Sequence, residues 1–149
     1  IANGFFECTD GCELVAGDAV EWVNSEAPER YDYIVDDLYA EEAGVPERFA
    51  PLDRDWCERL TALLRPGGIL VFNMIEPERV PLLPLCREPG LCARLPHTIG
   101  YQLEGYENRV VAFSERPFQP DSLEANLRAI ARRFPGCRGV GSRYQRFSL

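Results

Sequence analysis

Acidic side chains follow two short apolar segments near the start of the chain. Residues 13–19 read Glu-Leu-Val-Ala-Gly-Asp-Ala, and residues 31–37 read Tyr-Asp-Tyr-Ile-Val-Asp-Asp. A third apolar segment, residues 65–73, begins Arg-Pro-Gly-Gly and ends in an amide side chain. In open α/β sheets, ligands bind beyond the carboxyl ends of parallel strands. We expect three parallel strands whose polar end residues share one edge of the sheet: Asp18, Asp36, Asp37 and Asn73.

Asp37 is the candidate for proton transfer. Successive side chains of a strand point to opposite faces, so only one of Asp36 and Asp37 faces a ligand. A carboxylate at the junction of an apolar strand and a loop is partly shielded from water, and it could accept a proton from an ammonium nucleophile. The alternative is that Asp37 has no catalytic role and is an exposed acid that ends the strand or caps the next segment.

Asp18 has two compatible interpretations. Residues 18–25 have the apolar spacing of a short helix, and Asp18 is placed to cap its first turn. A residue at a strand-to-helix junction can also contact a ligand. The sequence leaves both roles open.

These motifs resemble the catalytic domain of spermidine synthases, within the class I S-adenosylmethionine-dependent methyltransferase-like folds. In that family a Gly-Asp-Gly/Ala element follows the third strand and its Asp faces the adenine amino group, which matches Asp18 and Ala19 here. The family's fourth strand, Tyr-Asp-x-Ile-x-x-Asp, is similar to residues 31–37. Its last Asp helps to deprotonate the attacking amine. The resemblance implies Asp37 as the catalytic residue, Asp18 and Ala19 as donor-binding residues, and S-adenosylmethionine or its decarboxylated form as the donor.

The chain departs from the family at its substrate motifs. Synthases continue Asp-Ser-Ser-Asp, whose second Asp grips the diamine, whereas residues 37–40 read Asp-Leu-Tyr-Ala. A Tyr-Pro-Ser/Thr-Gly segment of the family is replaced by Gly-Tyr-Glu-Asn at residues 105–108. Tyr39 and Tyr106 are the candidates for substrate binding, although Tyr39 also suits a packing role. The resemblance implies a role in polyamine biosynthesis, with a small-molecule amine or another nucleophile as the acceptor substrate. Because Ala40 stands where the family has the diamine-binding Asp, we expect putrescine to be a poor substrate.

The resemblance also implies the fold. We expect an α/β protein with a Rossmann-like class I methyltransferase sheet and a late antiparallel hairpin, as a single domain over residues 1–149. The family's first strand, its Gly-x-Gly loop and its ribose-binding acid would precede Ile1. We therefore expect the chain to be a C-terminal portion of that domain that lacks the first strands. The three glycines of residues 136–141 follow a Phe-Pro break, which indicates a turn rather than a phosphate loop.

Residue patterns predict the remaining elements. Apolar spacing predicts amphipathic helices at residues 53–64 and 121–134. Alternation predicts a hairpin of residues 97–103 with 109–115, and an edge strand at 144–149. Residues 41–53 are expected to form a loop, either a substrate lid or an ordinary connection.

Composition bounds the function. With 46% hydrophobic residues, 149 residues can bury a substantial core, since a domain of this size hides roughly two thirds of its unfolded surface. The net charge of −8 argues against a nucleic-acid partner. An acidic cleft would suit a cationic substrate, but acidic solvation of the surface explains the charge equally well.

Cysteine usage and hydropathy indicate no special chemistry. The six cysteines are not spaced as zinc ligands, and the single histidine, His97, is distant from them in sequence. We expect free thiols, no metal, and a structural role for His97. No signal peptide or apolar run of bilayer length is present, so we expect a cytoplasmic protein without a membrane partner.

Two function classes follow. The first is a spermidine synthase-like transferase. The alternative is a non-catalytic remnant of the same fold that acts as a binding or assembly module through its exposed sheet edge. A sheet that begins at its third strand leaves backbone groups unpaired, which predicts a homo-oligomer.

Overall fold

A five-stranded mixed sheet is the centre of the computed structural model, which describes residues 13, 15–25, 30–119, 122–133 and 144–147. Two further strands form a separate antiparallel hairpin. The strands of the described ranges, in chain order, are β1 (Tyr31–Asp36), β2 (Tyr39–Glu42), β3 (Val45–Arg48), β4 (Leu64–Met74), β5 (His97–Leu103), β6 (Arg109–Ser114) and β7 (Tyr144–Phe147). In the large sheet they are ordered β1-β4-β6-β5-β7.

Strand directions define a mixed α/β fold. β1 and β4 are parallel, with Ile34 opposite Leu70. β6 is antiparallel to both β4 and β5, and β7 is antiparallel to β5. The β5–β6 pair, in which Tyr101 faces Val110, confirms the predicted late hairpin. β7 confirms the predicted edge strand.

Short helices connect the strands. They are α1 (Ala19–Asn24), α2 (Arg54–Ala62), a 3₁₀ helix (Pro77–Leu82), α3 (Pro84–Arg87), α4 (Pro89–Arg94) and α5 (Ser122–Arg133). Three of these begin with proline. Proline suits the first helical turn because the N–H that it lacks would have no intrahelical partner there. The Asp53 carboxylate accepts a hydrogen bond from the Trp56 N–H at 2.8 Å and so caps α2. The helix predicted at residues 121–134 is confirmed as α5, whereas its outermost positions, Asp121 and Phe134, and the glycines of residues 136–141 lie outside the described residues.

One face of the sheet carries the hydrophobic core. Alternate residues of β4, from Leu70 through Phe72 to Met74, are buried on this face. Phe72 packs edge-to-face on Phe113 of β6, with ring centroids 6.2 Å apart. Helix α2 belongs to the same core, with Trp56 buried. The other buried apolar residues are Ala50, Cys57, Leu60, Leu64, Val80, Leu83, Leu85, Leu91, Leu95, Ile99 and Val111.

The predicted strand at residues 13–19 is wrong. None of its described residues is in a strand, and Val15 is 69% exposed. Asp18 commits the chain to α1 by accepting hydrogen bonds from the Val20 and Glu21 N–H groups. Only three apolar residues then precede Gly17, too few to sustain a buried strand. Within the described residues, the parallel part of the sheet therefore consists of β1 and β4.

The segment predicted as a loop at residues 41–53 begins with a β-hairpin instead. β2 and β3 pair from Tyr39 opposite Arg48 to Glu42 opposite Val45. The connecting residues Ala43 and Gly44 both have positive φ, 53° and 81°. Two successive positive φ angles are what a two-residue type I′ turn requires, because its twist matches that of the paired strands. Ala43 lacks the usual Asn or Gly signal, so the sequence pattern concealed the turn.

We predict that Ala43→Asn stabilises the protein. A non-glycine residue in the left-handed region costs about 1–3 kcal/mol, and Asn tolerates that region better than Ala. Unfolding in urea should give a gain of about 0.5–1 kcal/mol. Ala40→Asn, in the extended backbone of β2, is the matched control and should give no gain. Equal effects of the two substitutions would show that the turn is not strained at Ala43.

Candidate functional site

Polar side chains meet where β1 and β4 end and β6 begins. The Asn73 amide Nδ2 donates a hydrogen bond to Asp37 Oδ1 at 2.8 Å. The Asn108 amide Nδ2 donates to Asn73 Oδ1 at 2.6 Å. This chain of hydrogen bonds confirms that Asp37 and Asn73 share one edge of the sheet. We call the group Asp37, Tyr39, Asn73 and Asn108 the polar edge.

Tyr39 ties the β2–β3 hairpin to the polar edge. Its hydroxyl donates to the Asn73 carbonyl at 2.9 Å and accepts from the Ile75 N–H at 3.2 Å. These bonds fix the ring beside the end of β4. The hydroxyl is already engaged on both sides, so a substrate would meet the ring rather than the hydroxyl.

Asp36 points away from the polar edge into the core, as strand alternation predicts. The residue is only 3% exposed. Its Oδ2 accepts hydrogen bonds from Arg48 Nη2 at 2.6 Å and from Trp56 Nε1 at 2.8 Å. The Leu38 N–H donates to its Oδ1 at 3.3 Å. Asp36 is therefore a structural residue, and of the two neighbouring acids only Asp37 is exposed to a ligand.

Arg48 completes this buried ion pair. Its side chain is 9% exposed, and its guanidinium carbon lies 5.6 Å from the Tyr39 ring centroid and 5.9 Å from that of Phe72. Its Nε and Nη1 have no hydrogen-bond partner among the described residues, so the aromatic rings are their nearest compensation. Sequence inspection did not single out Arg48, because its partner is twelve residues away on another element.

The anchored hairpin forms a fixed wall beside Asp37. Arg48 holds its end to Asp36, Tyr39 holds its start to β4, and the Phe49 N–H donates to the Leu38 carbonyl at 2.9 Å. Of the two roles considered for this segment, a swinging lid would have to break all of these contacts. These contacts anchor the base of the hairpin to β1 and β4.

Asp18 and Ala19 lie at the start of α1, where Asp18 caps the helix. Asp18 is exposed, and its Oδ1 accepts from the Val20 N–H at 2.7 Å and the Glu21 N–H at 3.1 Å. Ala19 lines a pocket of about 230 Å³ between α1 and β1, which we call the β1-edge pocket. Its other lining residues are Trp22, Val23, Tyr31, Tyr33, Ile34, Val35, Asp36, Leu38, Trp56, Leu60 and Leu63.

Tyr106 lies in the turn between β5 and β6, which reaches the same end of the sheet as the polar edge. Its side chain is 64% exposed, and its carbonyl accepts a hydrogen bond from Gln102 Nε2 at 3.0 Å. Asn108, two residues later, makes the contact to Asn73. Nothing in the local sequence marks Asn108, because its place beside Asn73 depends on the antiparallel pairing of β6 with β4.

Cys57 and Cys86 are not suited to nucleophilic chemistry at neutral pH. Burial raises the pKa of Cys57 to about 12 and that of Cys86 to about 11. Cys57, Cys86 and Cys92 are free, as predicted, while Cys8, Cys12 and Cys137 lie outside the described residues. In the described ranges, His, Cys, Asp and Glu side chains form no group of three that could hold a metal ion.

No protein-family model, curated protein or solved structure matches the chain. Among the helices of the described ranges, none has the length and apolar character needed to cross a membrane. Function must therefore be inferred from the polar edge and its surroundings.

We predict that Arg48→Met strongly destabilises the fold. The substitution leaves the Asp36 carboxylate buried without its cation, which costs about 3–5 kcal/mol. Urea unfolding measures the loss. Arg79→Met, which breaks an exposed pair with Glu76, is the control and should cost no more than about 1 kcal/mol.

The double variant Asp36→Leu/Arg48→Met should recover much of the lost stability, because it removes both buried charges together. If Arg48→Met proved as mild as the control, the buried pair would not be what holds the hairpin.

Proposed function

We propose that the protein is a spermidine synthase-like transferase that moves an aminopropyl or methyl group to an amine or another small nucleophile. The donor would be decarboxylated or ordinary S-adenosylmethionine. The observation that carries the proposal is the exposed Asp37 carboxylate, held at the carboxyl end of β1 by the Asn73 amide of the neighbouring parallel strand. This is the edge of an α/β sheet at which ligands bind.

Asp37 would act as the proton acceptor. As the amine nitrogen forms its bond to the donor carbon, the carbon–sulfur bond breaks and its electron pair stays on sulfur. The ammonium proton goes to Asp37. Because Oδ1 accepts the Asn73 amide hydrogen, Oδ2 is the oxygen available to the nucleophile. Such a displacement depends on the relative position of the reacting groups, and the bonds from Asn108 through Asn73 to Asp37 would hold the carboxylate in place.

The β1-edge pocket supports a site for the adenosyl part of the donor. Its lining includes four aromatic rings, from Trp22, Tyr31, Tyr33 and Trp56, which suit a flat purine. Ala19 lies in the lining and Asp18 directly precedes it. Because only Oδ1 of Asp18 serves the cap, Oδ2 could accept a hydrogen bond from the adenine amino group. The cap and the ligand contact are compatible at this position.

The strand arrangement is in keeping with the same family. The resembled fold carries a late antiparallel strand pair beside its parallel strands, and β6 and β5 occupy that place next to β4. We accordingly propose that the large sheet is the later half of a Rossmann-like class I methyltransferase sheet.

An assembly module is the second candidate. Within the described ranges, no strand pairs with the outer edge of β1, where Tyr33 and Val35 are 67% and 66% exposed. An unpaired edge with apolar side chains can receive a strand from another chain. Under this proposal the protein forms a homo-oligomer or a complex through β1, and the polar edge has no catalytic role.

We predict that Asp37→Asn lowers the rate of transfer by about 10²- to 10⁴-fold, the range expected when a proton acceptor is lost. Donor binding should change little, because the acceptor acts in the chemical step. Mass spectrometry of products from both donors with a panel of amines measures the rate, and calorimetry measures donor binding. Asp55→Asn, an exposed acid in the first turn of α2, is the charge-matched control and should retain activity.

Equal losses of binding and turnover in Asp37→Asn would contradict the proton-acceptor role. If the unmodified protein transferred neither group to any amine, the transferase proposal itself would fail.

A further inference from the structure

A second cavity opens at the end of the sheet opposite to the polar edge. It has a volume of about 370 Å³ and lies beside the first residues of β1 and β4. Three arginines from separate segments line it: Arg30 precedes β1, Arg65 is the second residue of β4, and Arg94 ends α4. We call this cavity the arginine pocket. Such convergence is notable in a chain with a net charge of −8.

The cations of the arginine pocket are only partly neutralised. Arg65 pairs with Asp32 at 2.8 Å, with both side chains more than half exposed. Within the described ranges, Arg30 Nη1 donates to the Leu64 carbonyl alone, at a long 3.4 Å. The carboxylate of Glu115 also lines the cavity, but it accepts the Gly67 N–H at 3.0 Å. Arg94 makes no hydrogen bond or ion pair with a described residue.

A fourth guanidinium lies against the turn at the base of the pocket. Gly67 has a φ of +78°, and a β-carbon there would come within 2.8 Å of Arg116 Nε. At Gly68 a β-carbon would meet the backbone oxygens of Arg65 and Tyr31 at 3.0 and 3.1 Å. Only glycine allows the turn to lie so close to these groups. Gly67 thereby leaves room for the Arg116 guanidinium beside the turn, and both glycines line the cavity.

The chemistry of this cavity differs from that of a solvated arginine surface. Isolated surface arginines are surrounded by water, whereas here arginines from three segments line one concave space. Guanidinium matches carboxylate and phosphate oxygens through paired N–H donors. Leu64 and Leu95 add apolar lining, against which the uncharged part of a ligand could pack. The buried Thr61 hydroxyl donates to the Cys57 carbonyl, and its oxygen remains able to accept.

The geometry points to the arginine pocket as a binding site for a small organic anion that carries a carboxylate or phosphate group. This inference is independent of the transferase proposal, because none of the pocket residues belongs to the polar edge. Arg30 and Arg94 supply the cations that have no acidic partner among the described residues. Arg65 would either release the exposed Asp32 to bind the ligand or bind Asp32 and the ligand together.

Binding of citrate and inorganic phosphate tests the inference. Thermal unfolding of the full chain is followed during titration with each anion, with chloride at matched ionic strength as the reference. We expect a saturable rise in Tm with at least one of the two anions, because a ligand that binds only the folded state raises its stability. In Arg30→Gln/Arg94→Gln the apparent affinity should fall by about tenfold or more, since each bond to a charged donor contributes substantially.

The matched control is Arg79→Gln/Arg87→Gln, which removes the same charge outside the pocket lining and should keep the response of the unmodified protein. Because citrate and phosphate also stabilise proteins non-specifically, an equal Tm rise in all three proteins would overturn the inference. So would the absence of a saturable rise in the unmodified protein. A second measurement on the unmodified chain follows the Gly67 and Gly68 amide resonances, which should shift with the anion and not with chloride.

Discussion

The buried ion pair between Asp36 and Arg48 is the interaction on which the rest of the structure depends. It joins β1 to the end of the β2–β3 hairpin, and the Trp56 indole adds α2 to the same carboxylate. Charges in a protein interior are tolerated only when hydrogen bonds and an opposite charge offset their desolvation. Asp36 has both. Aspartate is usually exposed, but here the Asp36 side chain joins β1, the β2–β3 hairpin and α2.

This pair also determines what faces solvent. Because strand side chains alternate, an Asp36 fixed in the core directs the next carboxylate, Asp37, outward to the polar edge. Arg48 holds the hairpin against the sheet, and the hairpin places Tyr39 on the Asn73 carbonyl. The proposed chemistry therefore rests on one acid that is kept exposed by its buried neighbour. At the other end of the sheet, the arginine pocket has the opposite charge, so the two ends are suited to different ligands.

Local patterns predicted the elements with strong periodicity. The alternation of β5 and β6 and the apolar spacing of α2 and α5 identified those elements within a few residues. The approach of Asp37 to Asn73 was also predictable, since neighbouring parallel strands end at one edge. The strand predicted at residues 13–19 was wrong because the capping preference of Asp18 outweighed a three-residue apolar run. The β2–β3 hairpin was missed because Ala43 occupies a turn position that normally carries Asn or Gly.

Contacts between distant residues had no local signal. Arg48 is one of many arginines in the sequence, and nothing nearby indicates that it is buried on Asp36. The contact of Asn108 with Asn73 depends on the pairing of β6 with β4. The arginine pocket likewise forms only where β1, β4 and α4 come together. These features depend on strand order and on which face of each element is covered. Periodicity within a single segment does not specify either property.

Mapping of ligand contacts by NMR tests the central claim, that the polar edge is the functional site, most directly. Amide and side-chain resonances of the full chain would be followed during titration with S-adenosylmethionine and with a polyamine, at concentrations that detect weak binding. The account predicts that the polyamine shifts Asp37, Tyr39 and the side-chain amides of Asn73 and Asn108. S-adenosylmethionine should shift Asp37 together with residues of the β1-edge pocket. Shifts confined to residues away from this edge, or no shifts at millimolar ligand, would contradict it.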